Sequence, residues 1–93
     1  MTNADLLAMT KSNLQIIGTT WDDYLTNLIE ASTWEIEREG IVLDQTQIDD
    51  CNLIVMYTSY LYRKRNDDGP MPRMLRYALN NHLFAQKGGS NDL

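Results

Sequence analysis

The sequence is short of the residues that hold small domains together covalently or through metals. Among its 93 residues there is one cysteine, Cys51, and one histidine, His82. A single thiol cannot form an internal disulfide, and one cysteine with one histidine does not make a zinc site. A chain of this length forms one small domain, whose modest core is often supplemented by disulfides, metals or oligomerisation. Of these three, only oligomerisation remains open to this chain.

Long apolar runs are also missing. No charge-free stretch approaches the roughly 20 residues that a membrane-spanning helix requires. The N-terminal residues lack the basic region and the apolar stretch of a signal peptide. We therefore expect a protein without membrane contact that is intracellular or is assembled from an intracellular pool.

Basic charge is scarce and unevenly placed. Eight Lys and Arg residues stand against 13 Asp and Glu residues, giving a net charge of −5. This balance argues against generic binding to nucleic acid or anionic membranes, which depends on neutralising phosphates. Nine acidic residues and one basic residue lie between Asp22 and Asp50, whereas five of the eight basic residues lie between Arg63 and Arg76. Either these are solvated faces, or the acidic part of one copy meets the basic part of the next.

Sequence patterns of catalytic sites are absent as well. There is no glycine-rich phosphate loop, no nucleophile elbow, and no HExxH or EF-hand spacing. Asp49 and Asp50 are neighbours in a predicted helix, where adjacent side chains do not face each other, so a shared-proton pair is not expected. Cys51 and His82 are interpreted as a small buried residue and a packed or exposed imidazole. We predict a protein that is not an enzyme, with no catalytic residues, no metal and no cofactor.

The sequence does contain helical patterns with recognisable stops. Asn3 is predicted to cap a first helix that ends at Gly18. Thr20 is predicted to cap a second helix, which runs to about Glu39 with Gly40 as its left-handed C-cap. These two patterns occupy the first 40 residues.

The second half of the chain contains the longest pattern. From a predicted cap at Asp44 to Arg65 no glycine or proline interrupts the sequence, which predicts a third helix of about 20 residues. Pro72 is placed to start a fourth helix. We predict an all-α bundle of about four helices with a long central third helix. It forms a single domain over residues 1–87, followed by a flexible tail over residues 88–93.

The third helix has more apolar surface than one core face requires. Its core stripe is predicted at Ile48, Cys51, Ile54, Val55, Thr58, Leu61 and Tyr62. A second arc, offset from that stripe, consists of Leu53, Met56, Tyr57 and Tyr60. Such a helix is normally buried on several sides. Either the other helices surround it or a partner covers the second arc, and the polar tips of the two tyrosines favour a partner.

Trp34 lies on the side of the second helix opposite its predicted core stripe. That stripe consists of Trp21, Leu25, Leu28, Ile29, Ser32 and Ile36. Trp34 instead lies among charged residues, either beneath a neighbouring loop or the first helix, or exposed as an anchor for a partner. Tryptophan is frequent among the residues that dominate binding energy, so we include it in a candidate interface.

A basic cluster completes the candidate interface. It consists of Arg63, Lys64, Arg65, Arg73 and Arg76. These residues could alternatively contact phosphates in a small helical DNA-binding regulator of the helix-turn-helix type. The linker over residues 66–71 argues against that alternative, because it contains two acids and exceeds the usual turn of the motif.

Three segments in this order resemble the head-tail connector (adaptor) proteins of tailed bacteriophages. Residues 24–41 read YLTNLIEASTWEIEREGI, the third helix ends in YLYRKRND, and residues 70–83 read PMPRMLRYALNNHL. The resemblance extends over about residues 4–87. None of the three segments is a catalytic signature, so the likeness depends on their order and spacing together.

The resemblance implies a structural virion protein at the head-tail interface, assembled in the host cytoplasm. Connectors of this family are helical and form a homo-oligomeric ring of about a dozen copies beneath the portal protein. The ring extends the DNA channel and receives the next head-completion or tail protein. DNA passes through such a ring without specific binding, which suits an acidic protein.

Overall fold

The computed structural model describes residues 2–66 and 68–91, with side chains described as far as Gln86. It contains four helices, which we number α1 to α4 in chain order. Their bounds are Asn3–Leu14, Asp22–Arg38, Ile48–Lys64 and Arg73–Asn91. No strand occurs in the described part of the chain. The predicted all-α bundle with a central third helix is therefore confirmed, with α3 packing against each of the other three helices.

The first helix begins and ends one or more residues earlier than predicted. Thr2, not Asn3, is its N-cap: the Thr2 hydroxyl accepts the Asp5 amide, and the Asp5 carboxylate accepts the Thr2 amide. These hydrogen bonds lower the pKa of Asp5. Helix α1 ends at Leu14 rather than Gly18, because Gln15 already adopts the left-handed conformation with φ of 59°.

Helix α2 differs from prediction at its start and agrees with it at its end. Trp21 occupies the N-cap position without a side-chain cap, so the predicted Thr20 cap is wrong. The Asp22 amide instead bonds the Thr19 carbonyl in a tight turn. At the other end α2 stops at Arg38, and Gly40 follows with φ of 99°, as expected of a left-handed glycine after a helix.

Helix α3 is shorter than predicted, with 17 residues. Asp44 does not cap it directly, because its carboxylate accepts the amide and hydroxyl of Thr46 in a separate turn. These bonds lower the pKa of Asp44. The helix therefore begins only after Gln47.

One apolar core joins the helices. Helices α2 and α3 form its main interface, and Ser32 and Thr58 share a buried hydrogen bond of 3.1 Å at its middle. Helix α1 covers the adjoining side of both helices. The buried apolar residues are Leu6, Leu25, Ile29, Ile36, Ile41, Cys51, Leu53, Ile54, Val55, Tyr57, Leu75 and Leu79.

Helix α4 is attached differently. It contributes Leu75 and Leu79 to the buried core. Its backbone is described through Asn91, so the helix continues over residues 88–91 of the predicted tail. Residues 92 and 93 and the side chains of residues 87–91 lie outside the described part, and a flexible tail stays a prediction.

Candidate docking surfaces

Trp34 lies on the outer face of α2 with 58% of its surface exposed. No loop or helix of the described chain covers it, so the interpretation that placed it beneath a neighbouring segment is wrong. The Arg38 guanidinium lies 4.9 Å from the centre of the Trp34 ring and also pairs with Glu35 at 3.4 Å. The side chain is therefore held by a neighbour one turn away but remains open to a partner.

The charges around Trp34 are mostly acidic and unpaired. Glu30 precedes Trp34 by one turn and Glu37 follows it by one turn, so both flank the ring along the helix. Both are exposed, and neither forms an ion pair within the described residues. We call Glu30, Trp34 and Glu37 the acidic face.

The second arc of α3 is covered largely by the chain itself. Leu53 and Tyr57 are buried, while Met56 and Tyr60 are half-buried and pack against the core. Burial raises the pKa of Tyr57, and the nearby carboxylates of Glu35 and Glu39 raise it further. Leu53 and Tyr57 are therefore covered without a partner, and only Met56 and Tyr60 of this arc reach the surface.

Two other positions of α3 are exchanged relative to the sequence prediction. Ile48, predicted in the core stripe, is 53% exposed. It is the first residue of α3, and its side chain is not covered by a neighbouring helix. Ser59, which belonged to neither the predicted core stripe nor the second arc, is buried, and its hydroxyl accepts the Asn13 side-chain amide of α1 at 3.3 Å. The chain thus wraps α3 more completely at its middle than at its start.

A groove lies where α3 meets the segment leading into α4. Its volume is about 360 Å³. Met56, Tyr60 and Leu75 contribute apolar surface, and Arg63 and Lys64 supply positive charge. The remaining lining residues come from the end of α1, from α3, from the segment before α4 and from the start of α4: Asn13, Ser59, Gly69, Pro70, Pro72 and Met74. We call this feature the basic groove.

The five residues of the predicted basic cluster do not form one patch. Arg76 makes two hydrogen bonds to the Glu39 carboxylate, of 2.9 and 3.1 Å, which raise its pKa. Arg65 stacks on Tyr62 and Trp21, with its guanidinium 4.1 and 5.1 Å from the ring centres. Both arginines therefore already have partners inside the chain.

Two of the other three basic residues line the basic groove, and the third lies next to it in sequence. Lys64 lies 5.7 Å from the Tyr60 ring centre, and Arg63 lines the groove without an ion pair in the described chain. Arg73 is exposed at the start of α4, directly between the groove residues Pro72 and Met74. Within the described residues, Arg63, Lys64 and Arg73 thus have no carboxylate partner, and the first two line the groove.

Three exposed apolar residues on the outer face of α4 were not part of the candidate interface predicted from the sequence. Met74, Tyr77 and Phe84 are 72%, 59% and 79% exposed. They lie on the side of the helix opposite the buried Leu75 and Leu79. The signal was present in the sequence, because the spacing of these three residues places them on one face.

A second aromatic group was also misplaced by the sequence prediction. Trp21, assigned to the core stripe of α2, is 40% exposed. It meets Tyr24 and Tyr62 edge-on, with ring centres 5.8 and 6.0 Å apart. This group lies near Arg65, where the start of α2 meets the end of α3. Its rings pack edge-on against one another, and their polar edges face water.

His82 and Asp50 form a polar contact between α4 and the start of α3. His82 Nε2 lies 3.2 Å from an Asp50 oxygen, and Nδ1 lies 3.0 Å from the Ala78 carbonyl oxygen. The other Asp50 oxygen accepts the Asp44 amide. The histidine and aspartate thus fasten α4 to the loop before α3.

No group of His, Cys, Asp and Glu side chains in the described part of the chain is arranged to hold a metal ion. None of the described helices is both long and apolar enough to cross a membrane. No protein-family model, curated protein or solved structure matches this chain. The arguments for function therefore rest on its surfaces and on the sequence resemblance.

Proposed function

We propose that this protein is a structural subunit of a bacteriophage virion, a head-tail connector. In this proposal its copies form a ring beneath the portal protein, extend the DNA channel, and receive the next head-completion or tail protein. The sequence resemblance over residues 4–87 supports the proposal, and so does the distribution of unpaired charge.

The observation that carries the proposal is the separation of the acidic face from the basic groove. The acidic face lies on the outer side of α2, and the groove lies between α3 and the start of α4. Each combines unpaired charge with exposed apolar surface. Two different complementary surfaces on one chain favour contacts that repeat from copy to copy, and such contacts close into a ring or continue as a filament.

The overall charge also suits a channel subunit. A net charge of −5 limits nonspecific attachment to DNA, which has to move through a connector rather than stay bound. Two of the five clustered basic residues are engaged inside the chain, which leaves a small basic surface for phosphates. In this proposal the remaining basic residues contact protein.

The test asks first whether a portal protein is encoded in the same genome as this chain, and then whether the chain assembles on that portal. Native mass spectrometry of the chain mixed with that portal should give a complex that contains many copies of the chain. The same mixture should bind duplex DNA weakly at every salt concentration. A dimer that ignores the portal would contradict the proposal. High affinity for DNA that falls steeply with salt would favour the DNA-binding regulator instead.

A further inference from the structure

We infer that Trp34 of one copy inserts into the basic groove of a second copy, with Glu30 and Glu37 meeting Arg63 and Lys64. This inference rests on the proposed ring, because it identifies the contact between neighbouring subunits. It assigns different surfaces of the chain to the two sides of that contact.

Trp34 is largely open to water in the isolated chain. A tryptophan that is 58% exposed on a charged helix face leaves a large apolar area in water. Arg38 stacks on the ring but does not cover it. Large aromatic side chains in this condition are the typical anchors of protein interfaces, where they enter a pocket of the partner.

The shape and chemistry of the groove give a further argument. Its volume of about 360 Å³ is sufficient to admit an aromatic side chain. Met56 and Met74 provide flexible, polarisable walls, and Tyr60 provides an aromatic one. Methionine and aromatic side chains both make favourable contacts with an indole ring.

Charge complementarity favours Trp34 and its two flanking acids as the occupant of the groove. Within the described residues, Arg63 and Lys64 have no carboxylate partner, and Glu30 and Glu37 have no basic partner. Docking Trp34 brings its two flanking acids to the basic side of the groove, so each set of charges receives the partner that its own chain does not supply.

The same charges disfavour a symmetric pairing of two acidic faces, although Arg38 on the Trp34 ring offsets part of the repulsion. A twofold contact centred on Trp34 would place Glu30 and Glu37 of one copy against the same residues of the other, and like charges in an interface cost free energy. A contact between acidic face and groove leaves one free face and one free groove on every pair. It can therefore repeat, as a ring requires.

The experiment begins with two variants, each of which damages one side of the contact. Trp34→Ala removes the anchor, and the double variant Arg63→Glu/Lys64→Glu reverses the charge of the groove. Each should weaken self-association by about 30-fold or more, the loss typical of a dominant interface residue. Phe84→Ala is the matched control, because Phe84 is an exposed aromatic residue like Trp34 but lies well beyond the groove residue Met74 along α4. It should leave self-association unchanged.

Mixing the two damaged variants gives the decisive result. The Trp34→Ala copy retains an intact groove, and the groove variant retains an intact Trp34, so together they should form one contact and stop at a 1:1 complex. Sedimentation velocity at high micromolar concentration measures this directly. Circular dichroism checks folding, and Arg63→Gln/Lys64→Gln replaces the charge reversal if acids at the end of α3 disturb the helix.

The outcomes separate this inference from the proposed function. If the mixture stays monomeric although the wild-type chain assembles into a ring, the contact is wrong and the ring stands. If the mixture forms the 1:1 complex but the wild-type chain forms an open filament with no affinity for the portal, the contact stands and the connector function fails. Wild-type chain that stays monomeric at these concentrations overturns the contact.

Discussion

Helices α1 to α3 and helix α4 are held in the same fold by different kinds of contact. The first three share a continuous apolar interior, built around residues such as Leu6, Ile29 and Ile54 that are fully or almost fully buried. Helix α4 adds two buried leucines and the partly buried Ala78 and Leu83. It is also held by polar contacts of Arg76, His82 and Gln86. Apolar packing is compact and non-directional, whereas these polar contacts are partly exposed and depend on geometry.

This difference indicates which part of the fold opens most easily. Local opening requires little free energy where few apolar contacts are buried and hydrogen bonds are open to water. Helix α4 fits that description better than α3, which is covered on several sides. The basic groove lies at the junction of the two regions, so its width depends on how firmly α4 is attached.

The largest effect is expected from a cavity in the apolar region. Ile54→Ala should lower the free energy of unfolding by about 2 to 5 kcal/mol, because Ile54 is fully buried in α3 and the neighbouring helices cannot close the gap. Chemical denaturation followed by circular dichroism measures the loss. The conservative change Ile54→Val should cost only about 0.5 to 1.5 kcal/mol. Equal losses for the two variants would show that packing at this position does not determine stability.

A smaller global effect is expected from the equivalent change in α4. Leu79→Ala should cost about 2 kcal/mol, the low end for a buried leucine, since α4 can shift toward the vacated space. Hydrogen exchange should accelerate across α4 while the amides of α3 stay protected. Uniform acceleration over all four helices would mean that α4 and the first three helices unfold as one cooperative unit, which would contradict the difference between the two regions.

A weaker effect is expected from the ion pair that fastens α4 to the end of α2. A double-mutant cycle with Arg76→Ala and Glu39→Gln should give a coupling of about 0.5 to 1 kcal/mol, because the pair has two hydrogen bonds but is partly exposed. The coupling should shrink in high salt. Arg38 and Glu35 serve as the control pair, with a longer distance and greater exposure, and should couple less. A larger coupling free energy for Arg38 and Glu35 than for Arg76 and Glu39 would show that distance and exposure do not rank the two ion pairs.

The smallest effect is expected at the start of α1. The pKa of Asp5 is lowered by its hydrogen bonds to Thr2, so the ionised capping box stabilises α1 above the ordinary carboxyl range and is lost as pH falls below about 4. Amide resonances of residues 2–5 should shift over that interval while core resonances stay unchanged. Asp5→Asn should abolish the titration at these amides, and its persistence in that variant would assign it to another group.

The sequence predicted the fold well where local patterns decide the structure. The end of α2 was predicted by Gly40, whose left-handed conformation is a local property, and four positions of the predicted α2 core stripe are buried. The error at Asn3 was also local, because Thr2 and Asp5 have the spacing of a capping box. Periodicity and the glycine after α2 therefore predicted the number and order of the helices, whereas the predicted N-caps at Asn3, Thr20 and Asp44 were wrong.

The candidate site was less predictable, because it depends on contacts between distant segments. The sequence placed Trp34 off the core stripe of α2 but left open whether a neighbouring segment covers it. The groove combines residues from α1, α3, the segment before α4 and α4 itself. The five basic residues looked alike in sequence and became different once Arg65 met Trp21 and Arg76 met Glu39. No local sequence pattern distinguishes the arginines that have a partner inside the chain from those that do not.

The contact between Gln86 and Val42 has a consequence for solubility. Gln86 accepts the Val42 amide at 3.0 Å and donates to the Val42 carbonyl at 2.8 Å. These are the two backbone groups through which an extended, apolar stretch such as residues 41–43 would recruit a strand from another molecule. Val42 is 74% exposed, so its side chain alone would invite that pairing. By occupying both groups, one glutamine side chain blocks strand pairing at this loop.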